Sequence, residues 1–93
     1  MRRKRIKYLH KKLGKEKVWG QAHYDDFLIE IDERAKGKKH LEIVIHESSH
    51  LILPTLSEEE IIDKSITLTN LLWQMGYRRI DNQNNTPLQD GRR

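Results

Sequence analysis

Apolar residues recur at every second position in the first third of the chain and at every third or fourth position beyond it. That change of period predicts a small sheet followed by helices. Ile6-Lys7-Tyr8-Leu9 alternates β-formers with a charge, and a polar stretch around Gly14 separates it from residues 18–24. There Val18, Gly20, Ala22 and Tyr24 fall on one side of a strand and Trp19, Gln21 and His23 on the other. Asp25-Asp26 reads as a turn. Phe27-Leu28-Ile29-Glu30-Ile31-Asp32 is the clearest strand, with Phe27, Ile29 and Ile31 toward the core. The short connections predict a three-stranded antiparallel meander.

A helix is predicted over residues 38–53, just beyond Gly37. Leu41, Ile43, Val44, Ile45, Leu51, Ile52 and Leu53 surround its axis on most sides, the pattern of a buried helix. Pro54 ends it. Ser57 then reads as an N-cap, Glu60 completes a capping box, and a second helix runs toward Met75 with Gly76 at its C-terminal cap. From Asp81 onward almost nothing can be buried, and the segment reads as a disordered tail. The expected architecture is α+β: a three-stranded antiparallel sheet, then a buried helix and a second packed helix. It forms one domain over residues 1–80, followed by the tail at 81–93.

Composition narrows the chemistry. With 93 residues, 35% hydrophobic and 34% charged, the chain buries only about 60–65% of its unfolded surface, so a bound metal would help to stabilise it. The absence of cysteine excludes disulfides and thiolate sites. Any metal must be held by His and carboxylates, the ligand set of catalytic zinc. The net charge of +4 is concentrated at one end: nine of the first seventeen residues are basic, against the single acid Glu16. Such an end could contact nucleic acid or an acidic partner, but no interleaved aromatic motif accompanies it, and a solvated basic terminus is the plainer reading. No apolar run approaches the roughly 20 residues that span a bilayer. No apolar segment follows Met1-Arg2-Arg3-Lys4-Arg5 as a secretion signal requires. A cytoplasmic monomer without membrane association is expected by default.

The pentapeptide His46-Glu47-Ser48-Ser49-His50 is the sharpest motif. Residues four apart on a helix share a face, so both imidazoles can reach one metal ion, Zn²⁺ by ligand type, while Glu47 reaches a water on that metal. This is the H-E-x-x-H arrangement of metalloproteases, with the Glu as general base. The expected reaction is peptide hydrolysis, in which Glu47 takes a proton from the attacking water and passes it to the leaving amine. His23 or Tyr77 would be donors to the developing oxyanion.

A catalytic zinc needs a third protein ligand. Helix phase separates the acids: counted from Ser57, the apolar face of the second helix centres near about 80–90°, and Glu58 falls at about 100°. Glu59, Glu60 and Asp63 fall at about 200°, 300° and 240°, pointing away. Glu58 is therefore the expected third ligand, with Glu59 as the rival because helix starts shift by a residue or two. All three glutamates also suit the positive end of the helix. His40 lies about 240° round the helix from His46 and cannot share its metal unless the helix begins later. His10 and His23 read as polar surface on strands. Glu42, one turn before His46, could orient its imidazole from the second layer or be a surface charge.

Residues 18–78 resemble a family of minimal zincin-type metallopeptidases, small phage and bacterial proteins akin to the SprT-like and minigluzincin groups. The likeness rests on the Ile29-Glu30-Ile31-Asp32 strand, Lys36-Gly37-Lys38-Lys39, and Ile45 with the HExxH pentapeptide. It continues through the turn from Pro54 to Glu58 and Leu72-Trp73-Gln74-Met75-Gly76-Tyr77-Arg78. It implies a minimal zincin core in which His46 and His50 are ligands, Glu47 is the base and an acid on the next helix completes the site. It also implies a peptide substrate bound as an extended strand along a sheet edge. Leu56 stands where a metzincin has its third His, and a Glu-x-x-x-Asp match at Glu59 and Asp63 faces outward. A different class of function remains open: a metal-stabilised, non-catalytic binding module whose basic N-terminus meets an acidic partner or nucleic acid.

Overall fold

The computed structural model describes residues 4–80. The expected tail at 81–93 lies outside the described residues, as do Arg2 and Arg3 of the basic stretch. The elements run β1 (Lys7–Lys11), a short 3-10 turn (Gly14–Glu16), β2 (Gly20–His23), β3 (Leu28–Asp32), α1 (Gly37–Ile52) and α2 (Glu58–Gln74). This is the α+β class that the periodicity implies. No helix among the described residues is long and apolar enough to cross a membrane.

The sheet is not the antiparallel meander expected. Its order is β1-β3-β2, with β1 parallel to β3 and β2 antiparallel to it. The apolar strand takes the centre: Ile29 and Ile31 are 2% and 1% exposed, and only a central strand pairs both its edges. The polar Lys-Tyr-Leu-His-Lys of β1 instead suits an outer edge, where lysines discourage further pairing. The chain from β1 must then cross the end of β3, and that crossing is pinned. Buried Leu13 donates its N–H to Asp32 Oδ2 at 3.1 Å. Asp32 also accepts the Arg34 N–H at 2.8 Å and the Arg34 guanidinium at 2.9 and 3.0 Å. The Arg34 bonds hold the fully enclosed Asp32 carboxyl far below the ordinary carboxylate range.

The β2–β3 turn closes with the Phe27 N–H donating to the Tyr24 carbonyl at 3.2 Å. Phe27 was expected within the strand; it occupies the turn with φ 51°, and its ring still packs against the core around Ile29 and Ile31.

α1 packs against β2, β3 and α2. It buries His40, Ile43 and Leu51, while Ile52 and Leu53 remain 57% and 42% exposed. The helix is therefore only partly buried, because a three-stranded sheet and one helix cannot enclose every side of it. The expected capping box of α2 is present, with Ser57 Oγ accepting the Glu60 N–H and Glu60 accepting the Ser57 N–H. Its C-terminus closes in a Schellman motif: Gly76 and Tyr77 donate to the Trp73 and Leu72 carbonyls, with Gly76 at φ 97°. The buried stripe is Ile61, Ser65 and Thr69, which matches the direction inferred from helix phase. Ile62 and Leu68, at the borders of that stripe, are each 43% exposed.

Candidate metal centre

His46 and His50 lie one turn apart on α1, with Nε2 atoms 3.3 Å apart. Residues 54–56 turn the chain, and the capping box starts α2 at a defined residue, so Glu58 occupies its first helical position. From there its carboxylate reaches back, Oε2 to His46 Nε2 at 3.2 Å and Oε1 to His50 Nε2 at 2.8 Å. Glu58 keeps 59% of its side chain exposed while the imidazoles keep about a fifth, so it closes the group from the solvent side. Among the described residues this is the one cluster of three such side chains with ligand atoms within 4.8 Å of one another. Tetrahedral bonds of about 2.1 Å place ligand atoms roughly 3.4 Å apart. Two imidazoles and a carboxylate at these spacings therefore fit a zinc ion with one position left open.

Glu47 points into the same cleft, and its surroundings are apolar enough to push its carboxyl above the ordinary carboxylate range. Burial is the main cause; His46 and His50 pull the other way, and the Glu58 charge adds to the rise. A carboxyl shifted toward neutrality is better matched to proton transfer at neutral pH. The cleft, about 520 Å³, is walled by Trp19 and Gly20 of the β2 side, by Glu42, Ile43 and the HExxH residues of α1, and by Glu58 and Ile62 of α2.

Gly20 also lines the cleft, although it belongs to no motif. A Cβ there would lie 2.6 Å from Ile43 Cγ2 and 2.9 Å from Glu47 Cγ. The glycine lets the strand backbone approach the general-base candidate directly. An isolated Gly within a strand pattern was the available signal for such an approach.

The other candidates separate clearly. Glu59 and Asp63 are outside the cluster, and Glu60 is committed to the cap, which lowers its pKa through the Ser57 backbone bond. Glu42 lines the cleft but makes no hydrogen bond to His46 among the described contacts. Neither proposed oxyanion donor lines the cleft. Tyr77 is 57% exposed, and His23 lies on β2 with Nε2 3.2 Å from Glu30 Oε1. His10, read as strand surface, instead packs against buried His40, which stands apart from the metal cluster as its helix phase requires.

No protein-family model, curated protein or solved structure matches this chain.

Proposed function

We propose that this protein is a zinc-dependent metallopeptidase in which His46, His50 and Glu58 hold the metal and Glu47 is the general base. The observation that carries this reading is the convergence of Glu58 on the HExxH imidazoles from a different helix. An HExxH on a helix arises by chance; a third ligand at hydrogen-bonding distance, beside a cleft, is a second and independent condition. The resemblance to minimal zincins points the same way.

Bound zinc would supply a Lewis acid that lowers the pKa of a water toward roughly 7 and polarises a substrate carbonyl. The chain's own residues do the rest. Glu47, backed by Gly20, accepts the proton of the attacking water and returns it to the departing amine nitrogen. β2 is an edge strand of the sheet beside the cleft, so an extended peptide can pair with it, its scissile carbonyl directed at the ligand cluster. The shallow cleft favours recognition through backbone pairing over a deep side-chain pocket.

The test is Glu47→Gln, assayed for zinc content and for cleavage of unfolded protein substrates. The variant is expected to keep about one zinc per chain and to lose roughly 10²–10⁴-fold in hydrolysis. Equal cleavage by both proteins would remove Glu47 from the mechanism. Zinc binding without any cleavage by the wild type would favour the non-catalytic binding module.

A further inference from the structure

A second histidine pair lies on the other flank of α1. His10 on β1 and His40 on α1 stack with ring centroids 5.2 Å apart and Nε2 atoms 3.0 Å apart. Arg79 Nη1 reaches both, at 3.3 and 3.4 Å. His40 is 9% exposed.

These three nitrogens cannot satisfy one another. A guanidinium only donates, and each neutral imidazole nitrogen carries either a proton or a single lone pair. If both Nε2 atoms carry lone pairs, Arg79 is satisfied but the imidazoles oppose lone pair to lone pair. If one carries a proton, it faces the Arg79 donor. If both do, every contact sets donor against donor. Every tautomer leaves at least one repulsive contact among the three groups, beside an imidazole, that of His40, which is 9% exposed. The positive surroundings agree: burial first, then Arg79 and Lys36, with His10 between these two for His40, push the pKa values of both histidines below the ordinary value. No carboxylate of the described residues forms an ion pair with any of the three.

The group stands over a cavity of about 320 Å³ whose remaining walls are mainly Ile6, Ile29, Ile31 and Val44. That volume is at the small end of small-molecule sites, which typically combine apolar walls with a few convergent polar groups.

We propose that His10, His40 and Arg79 form a binding site for a carboxylate carried on a short apolar body. The carboxylate oxygens accept from the two Nε2–H groups and the guanidinium, resolving all three contacts at once, and the apolar body enters the isoleucine-lined cavity. A metal ion is the poorer fit. The third group is a cation, Lys36 adds to the positive field, and these histidines belong to no three-ligand cluster among the described residues.

The probe is hexanoate, titrated into the full-length protein while the imidazole resonances of His10 and His40 are followed by NMR. Hexanol, inorganic phosphate and Zn²⁺ serve as comparators. Saturable shifts of these two histidines by hexanoate are expected. Affinity should fall at least about tenfold with phosphate or hexanol and in Arg79→Gln, the scale of one lost charge-assisted hydrogen bond. Arg79 is at the exposed end of the described chain, so this variant tests the site without removing core packing. Absence of saturation, equal binding of hexanoate and hexanol, or unchanged affinity in Arg79→Gln overturns the proposal. Phosphate binding as tightly as hexanoate overturns the apolar-body assignment. Zn²⁺ displacing hexanoate from these resonances overturns the anion assignment.

Discussion

The two flanks of α1 carry the same pair of side chains with opposite partners. On the β2 side, His46 and His50 bring their Nε2 atoms to 3.3 Å and a carboxylate closes the group. On the β1 side, His10 and His40 bring theirs to 3.0 Å and a guanidinium closes it. Imidazole is amphoteric as a ligand: its lone pair suits a metal and its N–H suits an anion. On the proposed reading the third group decides between these uses: the Glu58 carboxylate would favour a cation in the first site and the Arg79 guanidinium an anion in the second. A histidine pair alone therefore says little about what it binds.

The largest expected effect comes from breaking the first group. His46→Ala should abolish zinc binding, and with it the zinc-linked stabilisation, about 4 kcal/mol when zinc is a thousandfold above its dissociation constant, which is read as a rise in melting temperature. Glu58→Gln should weaken zinc by more than about a hundredfold, beyond the loss typical of an outer-layer partner. Titration with a zinc-chelator competitor measures both. Undiminished affinity in Glu58→Gln would return the third ligand to Glu59.

Exchanging the sign of the second group sharpens the contrast. Arg79→Glu should convert the His10–His40 pair into a second cation site, raising zinc from about one to about two per chain by mass spectrometry. Stoichiometry that stays at one would mean that the third group does not set the preference.

A smaller effect separates the proton-transfer group from the ligands. Gly20→Ala forces a methyl against Ile43 and Glu47; overpacking of this kind costs about 1–3 kcal/mol in a denaturation experiment. It should depress hydrolysis through Glu47 while zinc content holds. Full activity in this variant would show that the close strand approach is incidental.

The smallest effect is a pH dependence. His10 and His40 have folded-state pKa values below the ordinary 6.5, so the unfolded chain binds more protons in the interval between them. Stability must then rise with pH through that interval and be lost as pH falls below 6.5 toward the folded values. Melting of the chelated protein at pH 5.5 and 7.5, in a carboxylate-free buffer, should show a shallower difference for His10→Gln than for the wild type. An unaltered difference would mean that the pair does not couple to folding.

Much of this was legible in order of locality. The caps of α2 at Ser57, Glu60 and Gly76 depend on hydrogen bonds within a few residues, and they stand where the sequence places them. Glu58 was separable from Glu59 because a helix of known start has a calculable phase, although its exposure at the end of α2 was not. The strand order was not legible. Short loops favour sequential pairing, but β3 took the centre because its isoleucines needed cover on the helix-facing side and its two edges needed partners. The enclosed Asp32 holds the crossing loop through the Leu13 N–H, nineteen residues away, and no local pattern marks that contact.

His10 marks the same limit from the other side. Its neighbours in the chain, Leu9 and Lys11, are exposed, so a strand-surface reading follows; its real partners are thirty and sixty-nine residues away. By itself the sequence determined the helix boundaries, the HExxH face and the phase of the acid beyond it, since these follow from 3.6-residue geometry and local capping. Only the tertiary structure decided the mixed sheet, the approach of Gly20 to Glu47 and the charge that closes each histidine pair. Those depend on which distant segments share one small core, and no local period encodes that choice.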